Sequence, residues 1–542
     1  MRQFVLISLL VITQSVLAQQ DPSYTEDEFL RGSITPEREW WDVTHYHLQV
    51  SVDPERKHIR GSNTIRYKVL QDSGLLQLDL QPPLQVEKIT QGGKELSYRK
   101  QGNNAYMILL EDPQTIGSQQ ELIVQYSGHP REAVNAPWDG GFSWKRDDKG
   151  NPFVATSCQG LGASVWWPNK DHMYDEVDSM RISVTFPKSL LNVSNGKLLQ
   201  ITETDSTKTT HWAVKNPINN YGVNINIGDY VHFSEAYQGE KGTLEVDYFV
   251  LRDNLRKAKK QFKQVPKMLE AFEHWFGPYP FYEDGFKLVE VPYLGMEHQS
   301  SVTYGNGYQN GYRGTDLSGS GWGLKFDFII IHEAGHEWFA NSITHQDSAD
   351  MWIHEGFTAY SESLYLDYHF GTQAASEYVI GTRKRILNDR TIIGRYNLNR
   401  TGSSDMYYKG ANLLHTLRQL IEDDVQWREI LRKMNRVFYH KTVKTQQIES
   451  FLSQETGKDL TAFFNQYLRN TKIPKLEYRW DGQSLKYRYT DVITDFDMPV
   501  RIFIDEKAHW IFPAKASEWK TEKLAGKVLR IDPNFYIKTQ EL

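Results

Sequence analysis

Residues 326–339 read Phe-Asp-Phe-Ile-Ile-Ile-His-Glu-Ala-Gly-His-Glu-Trp-Phe, and this stretch limits the fold more tightly than any other. On a helix, His332 and His336 lie four positions apart and share one face. Both imidazoles can then point at a single metal ion. Glu333 sits one step round, where it can reach a water on that metal without being a ligand. The flanking Ile329, Ile330, Ile331, Trp338 and Phe339 predict that the helix is buried. Two histidines and a glutamate inside an apolar helix need partners, because unpaired buried polar groups are costly. The fold must therefore bring at least one more ligand to this helix.

A hydrolytic zinc site takes three protein ligands and keeps a fourth position for water. The chain has one cysteine, Cys158, so a cysteine cluster is excluded and the third ligand is a histidine or a carboxylate. Three residues compete. His345 falls in a turn-like segment just past the helix. His354 and Glu355 are neighbours and would point about a hundred degrees apart on a helix. Glu355 lies 19 residues after His336, room for a loop and an antiparallel helix to return its carboxylate to the pair. That geometry favours Glu355 over the two histidines.

The N-terminus predicts export. Arg2 precedes an apolar run from Phe4 to Ile12, and Ser15-Val-Leu-Ala18 suits cleavage before Gln19. Residues 1–18 read as a signal peptide, and the protein as secreted or periplasmic. The run is too short to span a bilayer as a stable helix, and no later segment is long and apolar enough to do so. An exported chain with a single cysteine forms no internal disulfide and is held by core packing, with Cys158 as a small buried residue. A net charge of −6, without blocks of like charge, gives no support to nucleic-acid binding. Nothing in the sequence fixes the oligomeric state.

The 542 residues allow several cores, and the hydrophobic pattern divides them. Between residues 40 and 230 the period is two: Tyr46, Leu48, Val50 and Val52 alternate with polar residues, as do Ile65, Tyr67 and Val69, and Leu76, Leu78 and Leu80. Turn signals such as Asp53-Pro54 and Gly92-Gly93 separate the runs. This predicts an antiparallel β domain over residues 19–230. From residue 231 the pattern shifts. A strand at residues 244–251 leads to a helix in which Met268, Leu269, Phe272, Trp275 and Phe276 recur at three and four, stopped by Gly277-Pro278. Helices dominate residues 231–470, interrupted by the glycine-rich residues 305–323, which read as a mobile loop. Residues 471–542 return to short strands and predict a small β-sandwich. The fold class is multi-domain α+β.

With Glu355 in place, the spacing and the phrase Trp352-Ile-His-Glu-Gly-Phe357 resemble the gluzincin zinc aminopeptidases, the family of aminopeptidase N and leukotriene A4 hydrolase. Leu294-Gly-Met-Glu-His-Gln299 is similar to that family's G-x-M-E-N exopeptidase signature, and Tyr407-Tyr-Lys-Gly410 to its Y-x-K-G motif. Domain order agrees over essentially the whole mature chain. Trp166-Trp-Pro-Asn-Lys-Asp-His172 is similar to a phrase in short, bacterial-looking members that lack the large helical C-terminal domain. The resemblance implies a thermolysin-like catalytic domain and one Zn2+ per chain on His332, His336 and Glu355. It implies Glu333 as general base and Tyr407 as hydrogen-bond donor to the developing oxyanion. It further implies Glu297 as the anchor of the substrate's free α-amine, Gln159 as a second contact to that residue, and the backbone of Gly295 and Met296 along the peptide path. The sequence departs from the family at His298 and His354, where Asn is usual, and at Ala340, where Gly is usual. None of these is a ligand, base or anchor.

The expected function is hydrolysis of the first peptide bond of peptides with a free N-terminus. Two other classes compete. A catalytically silent peptide-binding relative would be marked by loss of Glu333, Tyr407 or a ligand, and all are present. A zinc endopeptidase of the general H-E-x-x-H type would cut amino-blocked peptides. Nothing in the sequence asks for an epoxide-hydrolase side activity.

Overall fold

The computed structural model describes residues 24–513, 518–524, 526 and 528–542. The signal-peptide reading of residues 1–18 lies outside them. The described chain opens with a short helix, α1 (Glu26–Gly32), capped by Thr25 and Glu28 in a reciprocal capping box.

The β region follows from the alternation. In the strand Trp41–Asp53, Tyr46, Leu48, Val50 and Val52 are buried while Gln49 and Ser51 face solvent. Eight strands form one sheet, with Lys197–Glu203 and Thr207–Val214 at one end and Gln85–Gln91 and Lys94–Glu95 at the other. One pairing at its centre departs from the antiparallel pattern. Trp41–Asp53 pairs antiparallel with His58–Val69 but parallel with Met180–Pro187. The partners are over a hundred residues apart, so no turn chemistry announces them. A second sheet of four strands carries Gly141–Arg146 and Pro152–Ser157. Buried aromatic side chains, Trp166 and Trp167 among them, fill the core. Pro152–Ser157 stops two residues before Gln159, and so delivers that side chain to the edge of the domain.

A five-stranded sheet comes next, in the order Tyr230–Gly239, Gly242–Leu251, Phe286–Glu290, Val302–Tyr304, Gly295–Met296. The catalytic region is therefore not helical from its start. Gly295–Met296 is the edge strand, antiparallel to Val302–Tyr304. Helices pack on this sheet. α2 (Gln264–Phe276) ends at Gly277, whose φ of 93° suits a residue without Cβ. α3 (Phe328–Gly335) holds the first histidine and is capped by Asp327. α4 (Trp352–Phe370) returns against α3, and α5 (Tyr408–Ile421) lies across α4. The loop at residues 305–323 is tied down: the Asn306 amide donates to the carbonyls of Gln309 and Gly311 and to Asp327.

Residues beyond 474 form a four-stranded and a three-stranded sheet. Their buried side chains, such as Tyr489, Val500 and Phe535, join the same apolar cluster as α2 to α5. Tyr467 also donates to the carbonyl of Tyr536 at 2.7 Å. The small sandwich thus shares its core with the helical part.

α3 is shorter than the sequence suggests. The α-helical turns end at His336, a π-type turn follows from Glu337, and the chain kinks within it at Phe339 and Ala340, the latter at φ 156°, ψ −50°. A β-carbon is strained there, at about 1–3 kcal/mol. Burial of one methyl returns less than about 1 kcal/mol. Ala340→Gly is expected to raise the thermal unfolding midpoint by about 2 °C. A lower midpoint would show that the methyl's packing outweighs the strain.

Candidate active site

The three sequence-predicted ligands converge. His332, His336 and Glu355 offer donor atoms within 4.8 Å of one another, and all three are buried. Glu355 Oε2 lies 3.7 Å from His332 Nε2 and 3.4 Å from His336 Nε2. Ligands about 2.0–2.1 Å from a tetrahedral zinc stand about 3.3 Å apart, so these separations fit. Glu355 Oε2 has no hydrogen-bond partner among the described residues, as an atom waiting for a cation would. Each histidine is fixed by its other nitrogen. His332 Nδ1 is 2.7 Å from Glu362, which also accepts from Tyr378 at 2.6 Å. His336 Nδ1 is 3.0 Å from the carbonyl of Phe339. Both rings then present Nε2 to the shared point, the arrangement in which outer partners set tautomer and orientation.

The competitors are committed elsewhere. His354 Nε2 accepts the backbone N–H of His345 at 2.8 Å, and the two rings stack. Burial pushes His345 down to about 4 and His354 well below its usual value. His298, the other departure from the family pattern, is fully buried against Thr303 and pushed by burial down to about 3, so it stays neutral beside Glu297.

Glycines set the helix crossing. A β-carbon on Gly410 would sit 2.9 Å from the Cα of Gly356. α4 and α5 therefore touch backbone to backbone, just past Glu355 and just past Tyr407. The Tyr407 ring lies over His332, centroids 6.1 Å apart. Burial and the Glu355 carboxylate hold its phenol well above the usual value, so it remains a donor. Gly295 answers the same need: a β-carbon there would lie 2.6 Å from Ile329 and 3.4 Å from Glu333, so the edge strand can press against α3 only without one.

Glu297, Glu333 and His336 form a second tight group, with atoms again within 4.8 Å. Glu297 accepts from Gln159 Nε2 at 2.6 Å and from the Tyr221 hydroxyl at 3.2 Å. Its own backbone carbonyl is held by Asn341 at 2.8 Å. With these partners it is already satisfied, which makes it the weaker ligand. Burial raises the Glu297 carboxyl. For Glu355 burial acts the same way but His336 and His332 outweigh it, keeping it ionised. Burial pushes Glu333 up to about 7, the range of a base working near neutrality. A dication beside it favours the ionised form.

One cleft is lined by Gln159, Gly295, Met296, Glu297, His332, Glu333, His336, Glu355 and Tyr407, all nine of the sequence-predicted site residues. Sequence reasoning missed Tyr221 and Glu362. Glu362 carried a signal, seven residues beyond Glu355 on the same helix face. Tyr221 carried none, since it reaches Glu297 from the β domain.

Comparison with known proteins adds an independent line. Residues 43–221 match the peptidase M1 N-terminal domain and residues 260–467 the peptidase family M1 domain. Leukotriene A-4 hydrolase of Xenopus laevis is 23% identical over 77% of this chain and 68% of its own length. Aminopeptidase M1-B of Oryza sativa subsp. japonica is 22% identical over 58% of this chain and 37% of its own length. The chain thus spans two thirds of the first relative and little more than a third of the second. The M1 zinc metallopeptidase of Deinococcus radiodurans has a similar fold, with a TM-score of 0.69 at 21% identity over 81% of this chain and 95% of that one.

Proposed function

Because the chain belongs to peptidase family M1, and is by that membership a zinc metallopeptidase, we propose that it is an aminopeptidase that releases the first residue of peptides. The observation that carries this is the buried Glu297 carboxylate, held by Gln159 and Tyr221 within 4.8 Å of the His336 and Glu333 donor atoms. A carboxylate so placed pairs with a substrate ammonium and leaves the first peptide bond beside Glu333. An internal segment of a peptide brings no such charge.

His332, His336 and Glu355 would hold the zinc, which when bound supplies a Lewis acid that acidifies a water and polarises the scissile carbonyl. Glu333 takes the proton of the attacking water and passes it to the leaving amine nitrogen. Tyr407 donates to the oxygen on which negative charge develops. The edge strand Gly295–Met296 offers free backbone groups along which an extended peptide can lie. The apolar leader at residues 1–18 supports placing the enzyme outside the cell or in the periplasm. Among the described residues no helix is long and apolar enough to cross a membrane.

Aminoacyl-arylamides, free and N-acetylated, test the reading. Hydrolysis of the free series should be abolished by a chelator and restored by zinc. Absence of chelator-sensitive activity on that series would sink it, and equal hydrolysis of acetylated substrates would favour an endopeptidase.

A further inference from the structure

A second cavity of about 330 Å³ lies between the β domain and the helical part. Gln159, Gly160, Met351 and Thr401 line both it and the catalytic cleft, so the two adjoin. It opens beside the Gln159–Glu297 pair, where the substrate amine is placed. Arg31 and Gly32, the last turn of α1, form part of its wall. These residues precede both family matches, the earlier of which begins at residue 43.

α1 is tied to both sides. Toward the β domain, fully buried Arg38 binds the carbonyl of Ser33 at 3.0 Å and pairs with Asp79. His172 Nε2 is 3.2 Å from the carbonyl of Gly32. Toward the helical part, the Glu28 carbonyl accepts the backbone N–H of Asn399 at 3.0 Å, and the Glu28 side chain pairs with Arg400. The contact is tight: a β-carbon on Gly32 would lie 2.1 Å from the backbone nitrogen of Asn399.

Arg31 connects this helix to the amine anchor. Its Nε is 3.1 Å from Asp171 and its Nη1 donates to the carbonyl of Gly160 at 2.6 Å. Asn399 donates to the same carbonyl at 2.9 Å. Gly160 directly follows Gln159, the residue bonded to Glu297. The arginines on the wall are already matched by carboxylates. Arg31 pairs with Asp171, Arg400 with Glu28, and exposed Arg390 with Asp389. Asp347 accepts the N–H groups of Ala349 and Asn397. The cavity is roomy, and of the charged groups just named only Asp347 has no ion-pair partner, its carboxylate being held by two backbone N–H groups instead.

Resting on the aminopeptidase reading, we propose that α1 is a specificity strap. It closes the pocket that takes the side chain of the substrate's first residue, a pocket for bulky uncharged side chains. Arg31 is a positioning residue that aims Gln159 at the amine anchor through the Gly160 carbonyl.

The test measures kcat and KM on Ala, Leu, Trp, Glu and Arg arylamides for wild type, Arg31→Ala, Arg31→Lys and Gly32→Ala. Amide exchange of residues 157–162 is followed in parallel. Wild type should prefer Leu and Trp to Glu and Arg. Arg31→Ala should raise KM about tenfold with kcat nearly kept, narrow the Trp-to-Ala preference and speed exchange at 157–162. Arg31→Lys, which keeps one of the two contacts, should recover part of this. Gly32→Ala, which shifts the strap without touching Gly160, should also narrow the preference. A wild type that prefers Glu or Arg substrates overturns the pocket's class. Unchanged KM and preference in both Arg31→Ala and Gly32→Ala overturn the strap. An inactive wild type would mean that the aminopeptidase reading itself fails, and unchanged exchange at 157–162 would then overturn the positioning role on its own.

Discussion

Glu333→Gln is expected to lower kcat by about 10³- to 10⁴-fold, the share of a general base, while zinc content and KM stay near those of wild type. The amide fills the same space but cannot take a proton from water. Its position supports the separation of roles. Glu333 lies in the cleft beside His332, His336 and Glu355, which by themselves give three donors at tetrahedral spacing. The overlapping group Glu297, Glu333 and His336 makes the metal measurement informative. If that group held the ion, Glu333→Gln would lose zinc along with activity. Metal stoichiometry by emission spectroscopy, set beside kcat, therefore separates a missing base from a missing ligand. Activity within tenfold of wild type at full zinc occupancy would remove Glu333 from the chemistry.

The centre of this site was open to sequence reasoning because its geometry is local. A spacing of four on one helix dictates where two imidazoles point, and 19 residues are enough for α4 to return Glu355. Motifs supplied Glu297 and Tyr407. The structure gives physical reasons for the glycines in those motifs: Gly295 lets the edge strand touch α3, and Gly356 and Gly410 let α4 touch α5. The β region was legible as strands, since alternation is a one-dimensional signal. Its pairing was not, and the parallel contact between Trp41–Asp53 and Met180–Pro187 is the clearest case. The same limit hid Tyr221, which approaches Glu297 from 76 residues away, and the strap, where Arg31 meets a carbonyl 129 positions on. Long-range contacts are set by how finished units dock, and docking leaves little trace in local periodicity.

If Glu297 reads the substrate's free amine, as proposed, its replacement should reveal that. Glu297→Gln is expected to lower kcat/KM on free-amine substrates by about 10²-fold, through loss of a charge-assisted contact in a desolvated site and of the alignment it gives. N-acetylated substrates, which never used the charge, should keep their low rate, so the ratio between the series should collapse. Glu297→Ala should cost more. It also strands the Gln159 amide and the Tyr221 hydroxyl, both of which now point at this carboxylate. The difference between the two variants thus measures support separately from charge. Zinc content should be unchanged in both, because the ligand set does not include Glu297. The decisive comparison is the ratio of kcat/KM for a free aminoacyl-arylamide to that for its acetylated form, in wild type and in Glu297→Gln. A ratio that is high in wild type and unmoved in the variant would mean that the amine is read elsewhere in the cleft, and Glu297 would keep only its structural bonds.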